Sequence, residues 1–80
     1  MPTVLKISGL RLFFYSLEGA EPPHIHIERD GCTAKYWLDP VRLAGSRGFR
    51  SHELNRIRGI VVEHRTTLME AWHGHFGTDP

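Results

Sequence analysis

Apolar positions recur along the chain in two rhythms. Over residues 4–7 and 10–15 they alternate closely enough to predict two strands, joined at Ser8-Gly9, a pair suited to a two-residue hairpin turn. That register sets Ile7 opposite Leu10, Leu5 opposite Leu12 and Val4 opposite Phe13. Leu5, Ile7, Leu10, Leu12 and Phe14 then share one face, and Lys6, Arg11, Phe13 and Tyr15 the other. Lys6 facing Arg11 carries a small like-charge cost. A polar loop with Glu18, Gly19 and Glu21 follows. Pro22-Pro23 then hold the backbone extended, and alternation becomes strict over His24-Ile25-His26-Ile27. This third strand runs into Asp30-Gly31, the strongest hairpin signal in the chain, with residues 32–38 as its partner. The turn sets the pairs: His24 with Trp37, Ile25 with Tyr36, His26 with Lys35, Ile27 with Ala34, Glu28 with Thr33 and Arg29 with Cys32. Ile25, Ile27, Ala34 and Tyr36 fall on a core face. His24, His26, Glu28, Thr33, Lys35 and Trp37 fall on the opposite one, and a one-residue slip would invert both.

The second rhythm is helical. Leu54, Ile57, Val61, His64 or Arg65, Leu68, Trp72 and Phe76 are spaced by three and four, which predicts one amphipathic helix over 51–76. Ser51 suits its N-cap and Glu53 its first turn. Gly74 or Gly77 suits its end, before Thr78-Asp79-Pro80. Gly59 inside it costs about 1 kcal/mol relative to alanine. Such a helix is roughly 36 Å long, more than a sheet of short strands covers. Ile60, Met69 and Phe76 are therefore expected to be left for a second copy of the chain or another protein. Asp39-Pro40 ends the sheet, and 39–50 reads as a connector with Gly45 and Gly48, pinned by Val41, Leu43 and Phe49. The expected fold is one α+β domain over 1–80: two β-hairpins in 1–38 form a four-stranded, mainly antiparallel sheet, and one long C-terminal helix packs on one face.

Composition narrows the setting. Eighty residues with 40% hydrophobic and 24% charged side chains make one small folded domain. The single cysteine, Cys32, excludes an internal disulfide and suits a reducing compartment. No signal peptide and no membrane-length apolar run are found, so a cytoplasmic location without a membrane partner is expected. The net charge of +1 conceals a basic segment in which Arg42, Arg47, Arg50, Arg56, Arg58 and Arg65 meet only Glu53 and Glu63. Any one of these arginines can be a solvated surface residue, but together they fit an anionic partner, either nucleic acid or an acidic protein.

The candidate chemistry lies on the histidine face. Two imidazoles can act as general base and general acid on a phosphodiester, and an ammonium group can stabilise the charge that develops. His24, His26 and Lys35 supply those groups on adjoining strands. Tyr15 and Trp37 offer rings for base stacking, and Arg11, Arg42 and Arg47 offer phosphate contacts, which together predict a metal-independent ribonuclease site. A metal site on His24, His26 and Glu28 is the second reading; Lys35 beside His26 opposes it, and no metal or other cofactor is expected. In the third reading both histidines are ordinary strand residues, His24 packed on Trp37. His64 and Trp72 read as core.

The run FFYSLEGAEPPHIHIERDG, then AKYWLDPVRLA and a terminal AWHGHFG, resembles a small bacterial and archaeal domain family of unknown function over nearly the whole chain. The matching positions are Tyr15, Ser16, Glu18, Gly19, Glu21, Pro22, Pro23, His24, His26, Lys35, Trp37, Leu38 and Pro40. Tyr36 stands where phenylalanine is usual, and Arg50 where a serine cap is commoner, which moves the expected helix start one residue on. Genes of this family commonly neighbour another small family, and the pairs have been proposed as toxin–antitoxin modules with this member as the toxin. The resemblance thus implies a toxin-like protein acting on RNA or the translation machinery, neutralised by an acidic antitoxin-like partner. The rival is a non-enzymatic module that binds protein or nucleic acid through the same face; regulatory DNA binding is weaker, since no helix-turn-helix is visible.

Overall fold

The computed structural model describes residues 3–77. Both hairpin turns form as expected. Ser8 and Gly9 have φ of 52° and 79°, and Asp30 and Gly31 have 49° and 81°. Positive φ at both central residues matches the right-handed twist of the flanking strands. Strands β1 (Thr3–Ile7), β2 (Leu10–Phe13), β3 (His24–Arg29) and β4 (Cys32–Leu38) follow from these turns. The β3–β4 pairs agree with the expected register at all six positions, from His24↔Trp37 to Arg29↔Cys32. In the first hairpin Ile7↔Leu10, Lys6↔Arg11 and Leu5↔Leu12 also agree, but an irregularity between Thr3 and Leu5 sets Thr3, not Val4, opposite Phe13. Strand β2 joins the two hairpins, pairing Phe13 with His26 and Arg11 with Glu28.

The sheet has five antiparallel strands, not four, in the order β1-β2-β3-β4-β5. The expected connector supplies β5 (Val41–Arg47), which pairs with β4 after the Asp39-Pro40 turn. Six of its seven residues are exposed, so it shows no alternation of buried and open positions. A shift between Lys35 and Tyr36 places Ala44 as the extra residue on this edge.

The expected single helix is two: α1 (Ser51–Glu63) and α2 (Arg65–Phe76), broken at His64, where φ is −102° and ψ is 14°. The buried positions Ile57, Val61, Leu68 and Trp72 stay in phase through the break, so the apolar stripe conceals it. Arg65 holds the junction: its Nε donates to Leu38 O at 2.6 Å and its guanidinium lies 3.0 Å from Asp39 Oδ1. Ile60, Met69 and Phe76, expected to leave surplus apolar surface, pack against this chain's own core and are partly buried. Arg50, rather than Ser51, is the N-cap of α1, and Ser51 is its first helical residue. Gly77 closes α2 with φ of 69°; Thr78-Asp79-Pro80, expected after the helix, lie outside the described residues.

The core lies between one sheet face and the helices. It joins Leu10, Leu12, Phe14, Ile25, Ile27, Ala34, Tyr36 and Leu38 to Phe49, Ile57, Val61, Leu68 and Trp72. Burial pushes the Tyr36 hydroxyl pKa up, and the hydroxyl donates to Leu54 O at 2.8 Å. Glu53 ties α1 to β3: it accepts from Arg50 N at 3.0 Å and pairs with Arg29 at 2.5 Å. The backbone N–H of Arg50, with Arg29 adding to it, holds the Glu53 carboxyl below its ordinary 4.5. A depressed folded-state pKa gives stability that is complete above the unfolded value and fades as pH falls through the folded one. Glu53→Gln is therefore expected to lower the urea midpoint at neutral pH, with the difference from wild type shrinking as pH falls below the ordinary carboxyl value and through the lowered one. An equal difference across that range would remove the charge from the account.

Candidate functional site

The outer sheet face, opposite the core, carries an aromatic and cationic strip. The Arg11 guanidinium sits 4.0 Å from the Phe13 centroid and pairs with Glu28 at 3.2 Å. Phe13 stacks on His26 at 5.5 Å, and Tyr15 meets both Phe13 at 5.3 Å and His26 at 4.8 Å edge-on. Phe13 lies on the polar and aromatic face that strand alternation assigns it, but is itself buried there, walled by Arg11, Tyr15 and His26. Lys35 Nζ lies 4.6 Å from the Trp37 centroid. Strand pairing adds Arg42 beside Trp37 and Arg47 beside Thr33. All eight of the predicted site residues (Arg11, Tyr15, His24, His26, Lys35, Trp37, Arg42 and Arg47) thus belong to the outer face or its margin.

The predicted trio of His24, His26 and Lys35 is only partly assembled. His26 and Lys35 are cross-strand neighbours, and their side chains are 18% and 26% exposed. Lys35 is engaged, its Nζ 2.8 Å from Glu21 Oε1, and that hydrogen bond holds the Glu21 carboxyl below its ordinary value. His24 is fully buried. Its ring is turned into a nest of aromatic groups: Trp72 of α2 at 4.7 Å, His26 at 5.1 Å and Trp37 at 5.6 Å. The lid is provided by α2, which packs where the loop between β2 and β3 leaves the sheet. Trp72 and Phe76 both lie against Phe14, and Phe76 fills the space beside Gly19, where a Cβ would come within 2.8 Å of it.

The residue that organises the site is Glu18, from the loop. Its Oε1 accepts from Tyr15 N at 2.8 Å, which folds the loop back over the sheet end. His26 Nε2 donates to the same carboxylate at 2.9–3.0 Å. His24 Nε2 lies 2.8 Å from Glu18 Oε2, but outside hydrogen-bond geometry. Burial pushes the Glu18 carboxyl up; the bonds from His26 and Tyr15 N–H, with the His24 ring close beside, outweigh it, and the net pKa is lowered. The carboxylate is therefore ionised at neutral pH, between two imidazoles. Glu28, assigned beside the histidines by strand register, pairs with Arg11 instead. The reading by strands missed Glu18 because loops have no register. The signal present was its position in the acidic loop that leads into Pro22-Pro23.

On the other side, His24 Nδ1 is 2.9 Å from Pro22 O. A carbonyl only accepts, so Nδ1 carries the proton, and in the neutral ring the lone pair is on Nε2. The arrangement can bind and orient a ligand at Glu18 and His26, with His24 holding the third corner from inside.

Fold and site define a small α+β domain: a five-stranded meander backed by two helices, with a His–His–Glu cluster at one end of its open face. The chain belongs to the family described as a domain of unknown function, DUF4160, whose model matches residues 9–73. No curated protein and no solved structure matches it significantly. Among the described residues, no helix is long and apolar enough to cross a membrane.

Proposed function

We propose that this chain is the toxin-like member of a two-protein module and that it acts by holding single-stranded RNA on its outer sheet face. The observation that carries the reading is the alternation of cations and rings across that face: Arg11 over Phe13, Lys35 over Trp37, Tyr15 against His26, Arg42 beside Trp37. Single-stranded RNA is gripped in this way, bases stacking on rings while cations track phosphates. An acidic antitoxin-like protein would compete for the same cations. The burial of His24 favours holding RNA over cutting it by the two-imidazole scheme. A general acid must touch its substrate, and only His26 of the pair is reachable.

Tyr15 and Arg42 are exposed, so alanine at either leaves the core intact. Fluorescence anisotropy with a labelled single-stranded RNA is expected to show binding that weakens with salt. Tyr15→Ala should weaken it by about 5- to 100-fold, the worth of one stacked base, and Arg42→Ala should flatten the salt dependence. RNA recovered at its original length supports the binding role. Equal affinity for wild type and both variants would sink the proposal.

A further inference from the structure

The Glu18–His24–His26 cluster brings three possible ligand atoms together and leaves one buried nitrogen without a hydrogen-bond partner. His24 Nε2 is fully buried and makes no hydrogen bond, although a Glu18 carboxylate oxygen lies 2.8 Å away. A buried polar atom without a partner is costly, and an ion bound between the imidazoles and the carboxylate would give this one a partner. We infer that Glu18, His24 and His26 form a binding site for a divalent transition-metal ion of the zinc class, two imidazole nitrogens and one carboxylate oxygen supplying three ligands. This goes beyond the RNA reading and does not depend on it.

Four features of the cluster carry the inference. The donor set is the nitrogen-rich one such ions prefer over magnesium or calcium. The three ligand atoms lie within 4.8 Å of one another, against about 3.4 Å for ligands on one tetrahedral ion, so side-chain shifts on the order of 1 Å bring them together. The Nδ1–H bond to Pro22 O is the outer-shell contact that metal-bound histidines usually make, and it fixes Nε2 as the ligating atom. The objection from Lys35, a cation beside His26, is answered by Glu21 and Trp37, which hold its ammonium group in an ion pair and over a ring. His24 closes the site from inside, while Glu18 and His26 are 15% and 18% exposed. The fourth position therefore faces the outer side of the sheet and is open to water or a ligand.

The test uses the full chain, stripped with EDTA and titrated with Zn2+ by calorimetry and with Co2+ by visible absorption. One equivalent is expected, with the intense d–d bands of four-coordinate Co2+. Glu18→Gln and His26→Gln should each weaken binding by at least about 10-fold, with circular dichroism confirming the fold. A wild-type measurement stands beside them: Zn2+ should shift the ring NMR signals of His24 and His26 before those of the other four histidines. No Zn2+ binding, binding unchanged in both folded variants, or first shifts at another histidine would each overturn the inference.

Discussion

Trp72→Ala is expected to cost about 3–5 kcal/mol, as large-to-small changes at buried aromatic positions do. Trp72 is 2% exposed and touches Phe14 at 5.5 Å, Phe76 at 4.3 Å and His24 at 4.7 Å. The loss is a large part of what so small a domain has, since total stabilities run at about 5–15 kcal/mol. Because one of only two tryptophans is removed, urea unfolding followed by circular dichroism is the suitable measurement. The substitution also opens the wall that keeps His24 dry. A change below about 1 kcal/mol would mean that α2 does not seal the sheet end in solution.

Glu18→Ala is expected to lower stability by about 1–3 kcal/mol, although Glu18 lies in a loop where most substitutions are neutral. It removes the acceptor of Tyr15 N–H and of His26 Nε2 and uncovers the buried His24 ring. Glu18→Gln, which keeps an acceptor oxygen, should lose less. Urea midpoints of the two variants measure the difference, and ring NMR signals show whether His24 and His26 have moved apart. Equal midpoints for wild type and Glu18→Ala would show that the carboxylate does not pin the loop.

These two residues mark the limit of what local pattern carries. The Asp30-Gly31 turn was legible because a two-residue turn with positive φ at both centres admits one register, and that register placed His26 beside Lys35. Strand β5 was not legible: an exposed edge strand buries almost nothing, so no alternation marks it. The helix break was hidden because His64 falls at the one point where the stripe offered no apolar residue. Ile60, Met69 and Phe76, read from the stripe as surplus, are partly buried against the core, a packing that helical spacing alone does not show.

The sequence by itself determined the two hairpins, their faces and the outward row of cations and rings, because strand alternation and turn chemistry act between near neighbours. Only the tertiary structure decided which groups meet at the site. Burying His24 beneath Trp72 and bringing Glu18 onto both imidazoles depend on where a loop and a distant helix come to rest. That placement is set by core packing between residues far apart in the chain, and no periodicity encodes it.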